Sequence, residues 1–98
     1  MRKRAERNRF MFYQDPGHGW VRVPLKRLQQ LGIGGRISGW SYVKGRYAYL
    51  EEDCDAGIFE TEFKAQVGPL ELVERHTNKE SAIRDYARFD PRCLGGSA

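Results

Sequence analysis

Residues 37–50 carry the clearest structural signal in the sequence and constrain the fold more than any other segment. They are rich in β-branched and aromatic residues, which favour strands. Lys44-Gly45 lies near their centre, and a glycine-containing pair between two such runs is typical of a tight turn. The segment therefore predicts a β-hairpin within an antiparallel sheet.

Two registers are open for this hairpin. A two-residue loop at Lys44-Gly45 places Tyr42 opposite Tyr47, so that the four aromatic rings of the hairpin share one face. Lysine is unfavourable at the first position of that loop, because both loop residues need a positive φ. A three-residue loop with Gly45 as a bulge places Tyr42 opposite Arg46 and divides the rings between the two faces. Turn chemistry favours the bulge.

The remaining periodic segments predict a first hairpin, two or three helices and one further strand. The predicted strands are residues 10–13, 20–23 and 70–73, and the predicted helices are residues 24–31, 55–67 and 78–88. The element order is β(β)αββαβα. Without the extra strand of the first hairpin, its first six elements have the βαββαβ order of ferredoxin-like folds. The expected fold is a small single α+β domain.

Length and terminal composition predict the domain limits. A chain of 98 residues makes one domain, which we expect at residues 10–90. Residues 1–9 hold five Lys and Arg without apolar periodicity and predict a basic, disordered arm. Residues 91–98 end in Leu-Gly-Gly-Ser-Ala and predict a flexible tail.

The same composition predicts a cytoplasmic protein. No apolar run approaches the roughly 20 residues that span a bilayer, so an integral membrane protein is not expected. No apolar stretch follows the basic start, so no secretory signal is expected. The two cysteines are too few for a disulfide scaffold and are interpreted as reduced thiols.

Charge is distributed unevenly along the chain, whose net charge is +4. Residues 1–50 hold eleven Lys and Arg against two acids, whereas residues 51–98 hold six against eleven. If the two halves occupy different surfaces, one side is positive and attracts a nucleic acid or an acidic protein surface. If the acidic half folds back against the basic half, the charges cancel. Both outcomes remain open at this point.

The candidate binding residues are the cations and the aromatic rings of the basic half. Exposed aromatic rings on a basic sheet stack nucleobases. The alternative is that these rings form the core, since a domain this small needs its large side chains for burial. The candidates are Arg22, Lys26, Arg27, Arg36, Trp40, Tyr42, Lys44, Arg46, Tyr47 and Tyr49.

No combination of residues predicts catalysis, a metal or a cofactor. His18 lies between two glycines and is interpreted as a turn residue, although an exposed imidazole can be a general base. The four carboxylates of residues 51–55 are interpreted as capping the next helix rather than as a cation site, with Asp53 or Asp55 as the N-cap. Cys54 is interpreted as a buried, inert thiol.

Three segments together resemble small uncharacterised proteins encoded by bacteriophages and mobile elements. They are YQDPGHGW at residues 13–20, AYLEEDCDA at residues 48–56 and HTN at residues 76–78. The resemblance covers roughly residues 10–90 and implies a bacterial cytoplasmic setting and an accessory task. Such genes often encode inhibitors or adaptors that act on host nucleic-acid machinery. No activity or catalytic residue is carried over from the resemblance.

The sequence thus predicts a non-enzymatic accessory protein that binds nucleic acid or a nucleoprotein through its basic half. The first alternative is a protein-binding inhibitor or adaptor of a host defence or nucleic-acid enzyme. It would use the same basic surface or the acidic residues 51–55. The second alternative is a small metal- or thiol-dependent enzyme that uses His18 and Cys54.

Overall fold

Six strands form one sheet in the computed structural model of the protein, which describes residues 8–94. The strands are β1 (Arg9–Gln14), β2 (Gly19–Pro24), β3 (Tyr42–Lys44), β4 (Tyr47–Glu51), β5 (Glu71–His76) and β6 (Ala87–Arg88). The helices are α1 (Leu25–Leu31) and α2 (Asp55–Gln66), with 3₁₀ turns at Gly34–Arg36, Ala82–Asp85 and Pro91–Leu94. The predicted α+β class is confirmed.

The strand order across the sheet is β5-β1-β2-β4-β3-β6. Strands β1 and β5 are parallel, while the pairs β1–β2, β2–β4, β4–β3 and β3–β6 are antiparallel. The βαββαβ order predicted from the sequence is present from β2 to β5, and β1 is inserted between β5 and β2. Within the described chain, neither helix is long and apolar enough to cross a membrane.

Both helices pack on the same face of the sheet, because alternate strand residues and one stripe of each helix are apolar. Phe10 of β1 lies edge-to-face against α2, with ring centroids 4.9 Å from Phe59 and 5.2 Å from Phe63. The first helix contributes Leu28 and Leu31 to this core, as its leucine spacing predicts. The core therefore lies between the sheet and the two helices.

The β3–β4 hairpin differs from both predicted registers. Tyr42 lies opposite Tyr49, and the two turn residues are Gly45 and Arg46. Gly45 occupies the first central position with a φ of 61°, which suits a turn with a positive φ at that residue alone. Both predicted registers were wrong. One placed Lys44 in the loop and the other placed a bulge at Gly45, whereas the observed two-residue loop is shifted by one residue, so that Gly45 occupies the position that requires a positive φ.

The predicted last helix is also wrong. Residues 82–85 form a short 3₁₀ turn, and Ala87–Arg88 then pairs with β3 as an edge strand. Residues 77–80 fit a capping box with Thr77 as the cap, but the cap of this turn is Ser81. The Ser81 hydroxyl accepts a hydrogen bond from the Ile83 amide at 3.1 Å. Tertiary contacts override the helical pattern here, because Ile83 is buried against the sheet.

The chain ends differ in part from the predicted limits. Strand β1 begins at Arg9, and the rest of the predicted arm, except Asn8, lies outside the described residues. Pro91–Leu94 forms a 3₁₀ turn, and the Gln29 side-chain amide donates to the Leu94 carbonyl at 2.7 Å. Residues 95–98 of the predicted tail lie outside the described part of the chain.

Candidate nucleic-acid interface

The sheet face opposite the helices carries aromatic and cationic side chains, and we call it the aromatic face. Strand pairing places Arg22, Tyr49, Tyr42 and Arg88 in one row across β2, β4, β3 and β6. Two tyrosines are thus flanked by a guanidinium on either side. The sequence predicted Arg22 and the tyrosines, but Arg88 belonged to a predicted helix and was missed.

The centre of the aromatic face is covered by the chain itself. Trp20, Tyr49 and Ile83 form a buried cluster, against which Tyr86 packs with its ring 5.1 Å from that of Tyr49. Burial is the main cause that raises the pKa of Tyr49 above its ordinary value, and the neighbouring Tyr86 raises it further. Tyr49 is therefore part of a second small core, while Trp40 remains 68% exposed and Tyr47 36% exposed.

A cationic cavity lies at one end of the aromatic face. Its volume is 310 Å³, and its walls include Arg9, Arg22, Arg27 and Tyr47. The guanidinium carbon of Arg22 lies 4.5 Å from the centroid of the Tyr47 ring. Stacking of this kind positions a guanidinium while it leaves N–H donors at its edge for an anion.

The hairpin turn adds further cations at this end. The Leu25 amide at the start of α1 donates to the Arg46 carbonyl at 2.8 Å, so the turn abuts the helix. We define the cationic end as Arg22, Lys26, Arg27, Lys44 and Arg46. Within residues 8–94 none of these five side chains forms an ion pair with a carboxylate. Their charge is therefore available to an anionic ligand.

Arg36 lies apart from the cationic end. Its guanidinium pairs with Glu62 of α2 at 3.2 Å. Hydrogen bonds from Gln66 and then from Arg36 lower the pKa of Glu62. Six cations were predicted to bind a ligand. Within the described residues, Arg36 is the one among them that forms an ion pair with an acid from residues 51–98.

A second cavity, of 370 Å³, lies at the opposite end of the aromatic face, and we call it the Trp40 cavity. Arg88 lies with its guanidinium carbon 5.7 Å from the Trp40 ring and 5.5 Å from the Tyr42 ring. The lining residues are His18, Trp20, Trp40, Tyr42, Glu51, Asp53, Cys54, Arg84 and Arg88. Aromatic rings, two guanidinium groups and two carboxylates thus share one depression.

The fold brings His18 and Cys54 into this cavity, which spacing along the chain did not predict. Pairing of Trp20 with Glu51 causes this, and the His18 imidazole lies 3.6 Å from the Glu51 carboxylate. Cys54 is exposed rather than buried, and its thiol donates to Asp55 at 3.4 Å. That hydrogen bond, with the Asp55 charge, raises the pKa of Cys54 above its ordinary value, which lowers the fraction of thiolate at a given pH.

Asp55 fixes the loop of residues 38–41, which contains Trp40. It is buried, and its carboxylate accepts hydrogen bonds from the Ser38 amide at 3.0 Å and from the hydroxyls of Ser38 and Ser41. The predicted N-cap role of Asp53 or Asp55 is wrong, because Cys54 is the cap residue and makes no side-chain cap bond. In the described part of the chain, no three His, Cys, Asp or Glu side chains converge as metal ligands.

Comparison with protein-family models, with curated proteins and with solved structures finds no match to this chain.

Proposed function

We propose that the protein binds single-stranded nucleic acid along the aromatic face and catalyses no reaction. The observation that carries the proposal is the cationic end, where five Lys and Arg side chains surround one end of the sheet without an acidic partner among residues 8–94. Lys and Arg side chains neutralise backbone phosphates and release counterions, which supplies most of the affinity for nucleic acid.

Exposed rings at both ends of the face favour a single strand over a duplex. Tyr47 lies at the cationic end and Trp40 at the other end, and both rings are accessible. Unpaired bases stack on such rings, whereas a duplex keeps its bases stacked on one another. Along β2, Trp20 and Pro24 are four positions apart, or about 13 Å, so a short oligonucleotide can reach both ends.

The covered centre limits where bases can stack. Common RNA-binding sheets stack bases on aromatic side chains of their strands. Here Tyr86 and Ile83 already occupy the surface above Tyr49 and Trp20. The bound strand therefore contacts the two ends, with phosphates near Arg22 and bases at the exposed rings.

Fluorescence anisotropy with a labelled oligonucleotide of about ten residues tests the proposal. The test variant is Lys26→Glu/Arg46→Glu, and the control variant is Lys64→Glu/Lys79→Glu, which makes the same change in net charge at exposed positions elsewhere. We expect binding at low salt that weakens steeply as salt rises. Loss of two phosphate contacts should make the slope of log K against log salt shallower by about 1.4 in the test variant.

Two results would overturn the proposal. The first is the absence of oligonucleotide binding at low salt. The second is an equal loss of affinity in the test and control variants, which would show a non-specific response to net charge. An acidic protein surface, the alternative partner, offers carboxylates and no bases, so a site suited to it would not distinguish a base-containing strand from an abasic one.

A further inference from the structure

We propose that the Trp40 cavity holds one unpaired nucleobase of the bound strand. This inference rests on the proposed function and names the part of the ligand that the cavity takes. The cationic end lies at the opposite end of the aromatic face and contacts phosphate, so the two sites recognise different parts of one strand.

The walls of the cavity form a stacking surface. Trp40 is 68% exposed, although a large apolar ring gains free energy from burial. The Arg88 guanidinium lies close to the rings of Trp40 and Tyr42, and its own side chain donates to the Gly39 carbonyl at 2.9 Å. Bases stack on aromatic rings and on the planes of arginine side chains. The wall is therefore suited to a flat ring.

Trp20, one of the residues that line the cavity, carries a buried donor without a partner among the described residues. This donor is the indole N–H of Trp20. Buried donors in folded proteins nearly always have a partner, so this one points to a ligand that brings an acceptor. Base carbonyl oxygens and ring nitrogens are such acceptors.

Charge in the cavity favours a neutral ring over an ion. The carboxylates of Glu51 and Asp53 oppose a bare anion and Arg88 opposes a cation, while the Arg84 charge is already compensated by Asp15. Glu51 can accept from the amino group of a base, while Arg88 can donate to its acceptors. The volume of 370 Å³ is in the range of about 300–1000 Å³ that small-molecule sites occupy.

The experiment compares a base-containing oligonucleotide with an abasic sugar–phosphate strand of the same length. Wild-type protein should bind the base-containing strand about a hundredfold more tightly, since stacking on Tyr47 and on Trp40 contributes about tenfold for each base. Trp40→Ala should reduce this preference to about tenfold, which is the share that Tyr47 contributes. Val67→Ala, at an exposed residue at the end of α2, should leave it unchanged.

A conservative variant tests the Trp20 N–H separately. Trp20→Phe keeps an aromatic ring in the buried cluster but removes the donor, so it should weaken binding of the base-containing strand and leave the abasic strand unaffected. It also leaves Trp40 as the one tryptophan of the chain, and quenching of its emission by the base-containing strand reports the contact.

The outcomes separate this inference from the proposed function. An unchanged preference for the base-containing strand in Trp40→Ala would overturn the base site in the Trp40 cavity while binding at Tyr47 and at the cationic end stands. Equal affinity of the wild-type protein for both strands would overturn base stacking at both rings. Failure to bind either strand would overturn both. Free nucleoside monophosphates should bind far more weakly than the oligonucleotide, and equal affinity would assign the cavity to a free nucleotide and overturn the strand assignment.

Discussion

Arg84 donates two hydrogen bonds to the Asp15 carboxylate, from Nε to Oδ2 at 2.6 Å and from Nη2 to Oδ1 at 2.9 Å. Asp15 lies in the turn between β1 and β2, and Arg84 lies in residues 81–86, which we call the covering segment because Ile83 and Tyr86 pack over the aromatic face. The Asp15 carboxylate also accepts from the amides of Gly17, His18 and Ser81. This buried carboxylate therefore fastens the covering segment to the sheet.

Asp15→Asn should destabilise the domain. The side-chain amide of asparagine has one acceptor oxygen and no charge. Several N–H groups that now donate to the two carboxylate oxygens of Asp15 would therefore lose their acceptor. We expect a loss of about 2–3 kcal/mol in the free energy of unfolding, measured by urea denaturation at neutral pH. Asp90→Asn is the control, because the exposed Asp90–Arg92 pair contributes little to stability. An equal loss in both variants would contradict the anchoring role of Asp15.

Stability should also depend on pH through Asp15. The Arg84 guanidinium, helped by three backbone amides, holds the pKa of Asp15 well below its usual range despite burial. A carboxyl whose pKa is lowered by folding stabilises the protein above its unfolded pKa, and this contribution is lost as the pH falls towards the folded pKa. Wild-type stability should therefore fall between about pH 5 and pH 2, and more steeply than in Asp15→Asn. Urea midpoints across this range measure the difference.

Local patterns predicted most of the elements but few of their partners. The alternation around Val21 and the leucine spacing of α1 each depend on neighbours along the chain, and both elements are where the sequence placed them. The covering segment has helical spacing, yet Ile83 meets Trp20 and Arg84 meets Asp15, contacts that no local pattern encodes. The parallel pairing of β1 with β5 is long-range for the same reason.

For the candidate site, too, the sequence predicted the local features but not those that depend on long-range contacts. The cations of the cationic end were evident because the segment from residue 16 to residue 50 contains no acid. The Trp40 cavity was not, because it depends on the pairing of Trp20 with Glu51 and on the position of Arg88. Arg84 lies near the Trp20 ring and Arg88 near the Trp40 ring, and neither contact follows from spacing along the chain.

Replacement of Gly32 should destabilise α1. Gly32 follows the helix with a φ of 75°, and open space surrounds the position of an added Cβ atom, so the effect is one of backbone conformation alone. We expect Gly32→Ala to lose about 1 kcal/mol in thermal or urea unfolding. Gly35→Ala is the matched control, since it has equal space and no positive φ. A loss in the control as large as at Gly32 would contradict this explanation.

The reactivity of Cys54 should report its carboxylate neighbour. Because Asp55 raises the pKa of the exposed thiol, Cys54 should alkylate more slowly with iodoacetamide than a free thiol under mildly alkaline conditions. Asp55→Asn should accelerate the reaction, with Cys93 as the internal reference in mass spectrometry.

Ser38 gives a test of opposite sign. Its hydroxyl lies 4.0 Å from the Cys54 sulfur and lowers the pKa of the thiol, so Ser38→Ala should slow alkylation of Cys54 further. Acceleration in both variants would indicate that loosening of the loop, rather than electrostatics, controls the rate.

Ile83 should contribute to stability as a core residue although it lies on the face opposite the helices. It is 4% exposed and packs with Trp20 and Tyr49, so Ile83→Ala leaves a cavity beneath the covering segment. We expect a loss of about 2–3 kcal/mol in the free energy of unfolding. In a Trp40→Phe background, Trp20 emission should shift to longer wavelength as water reaches the ring. Val67→Ala, at an exposed position, should change neither quantity, and wild-type stability in Ile83→Ala would show that the aromatic face is not closed.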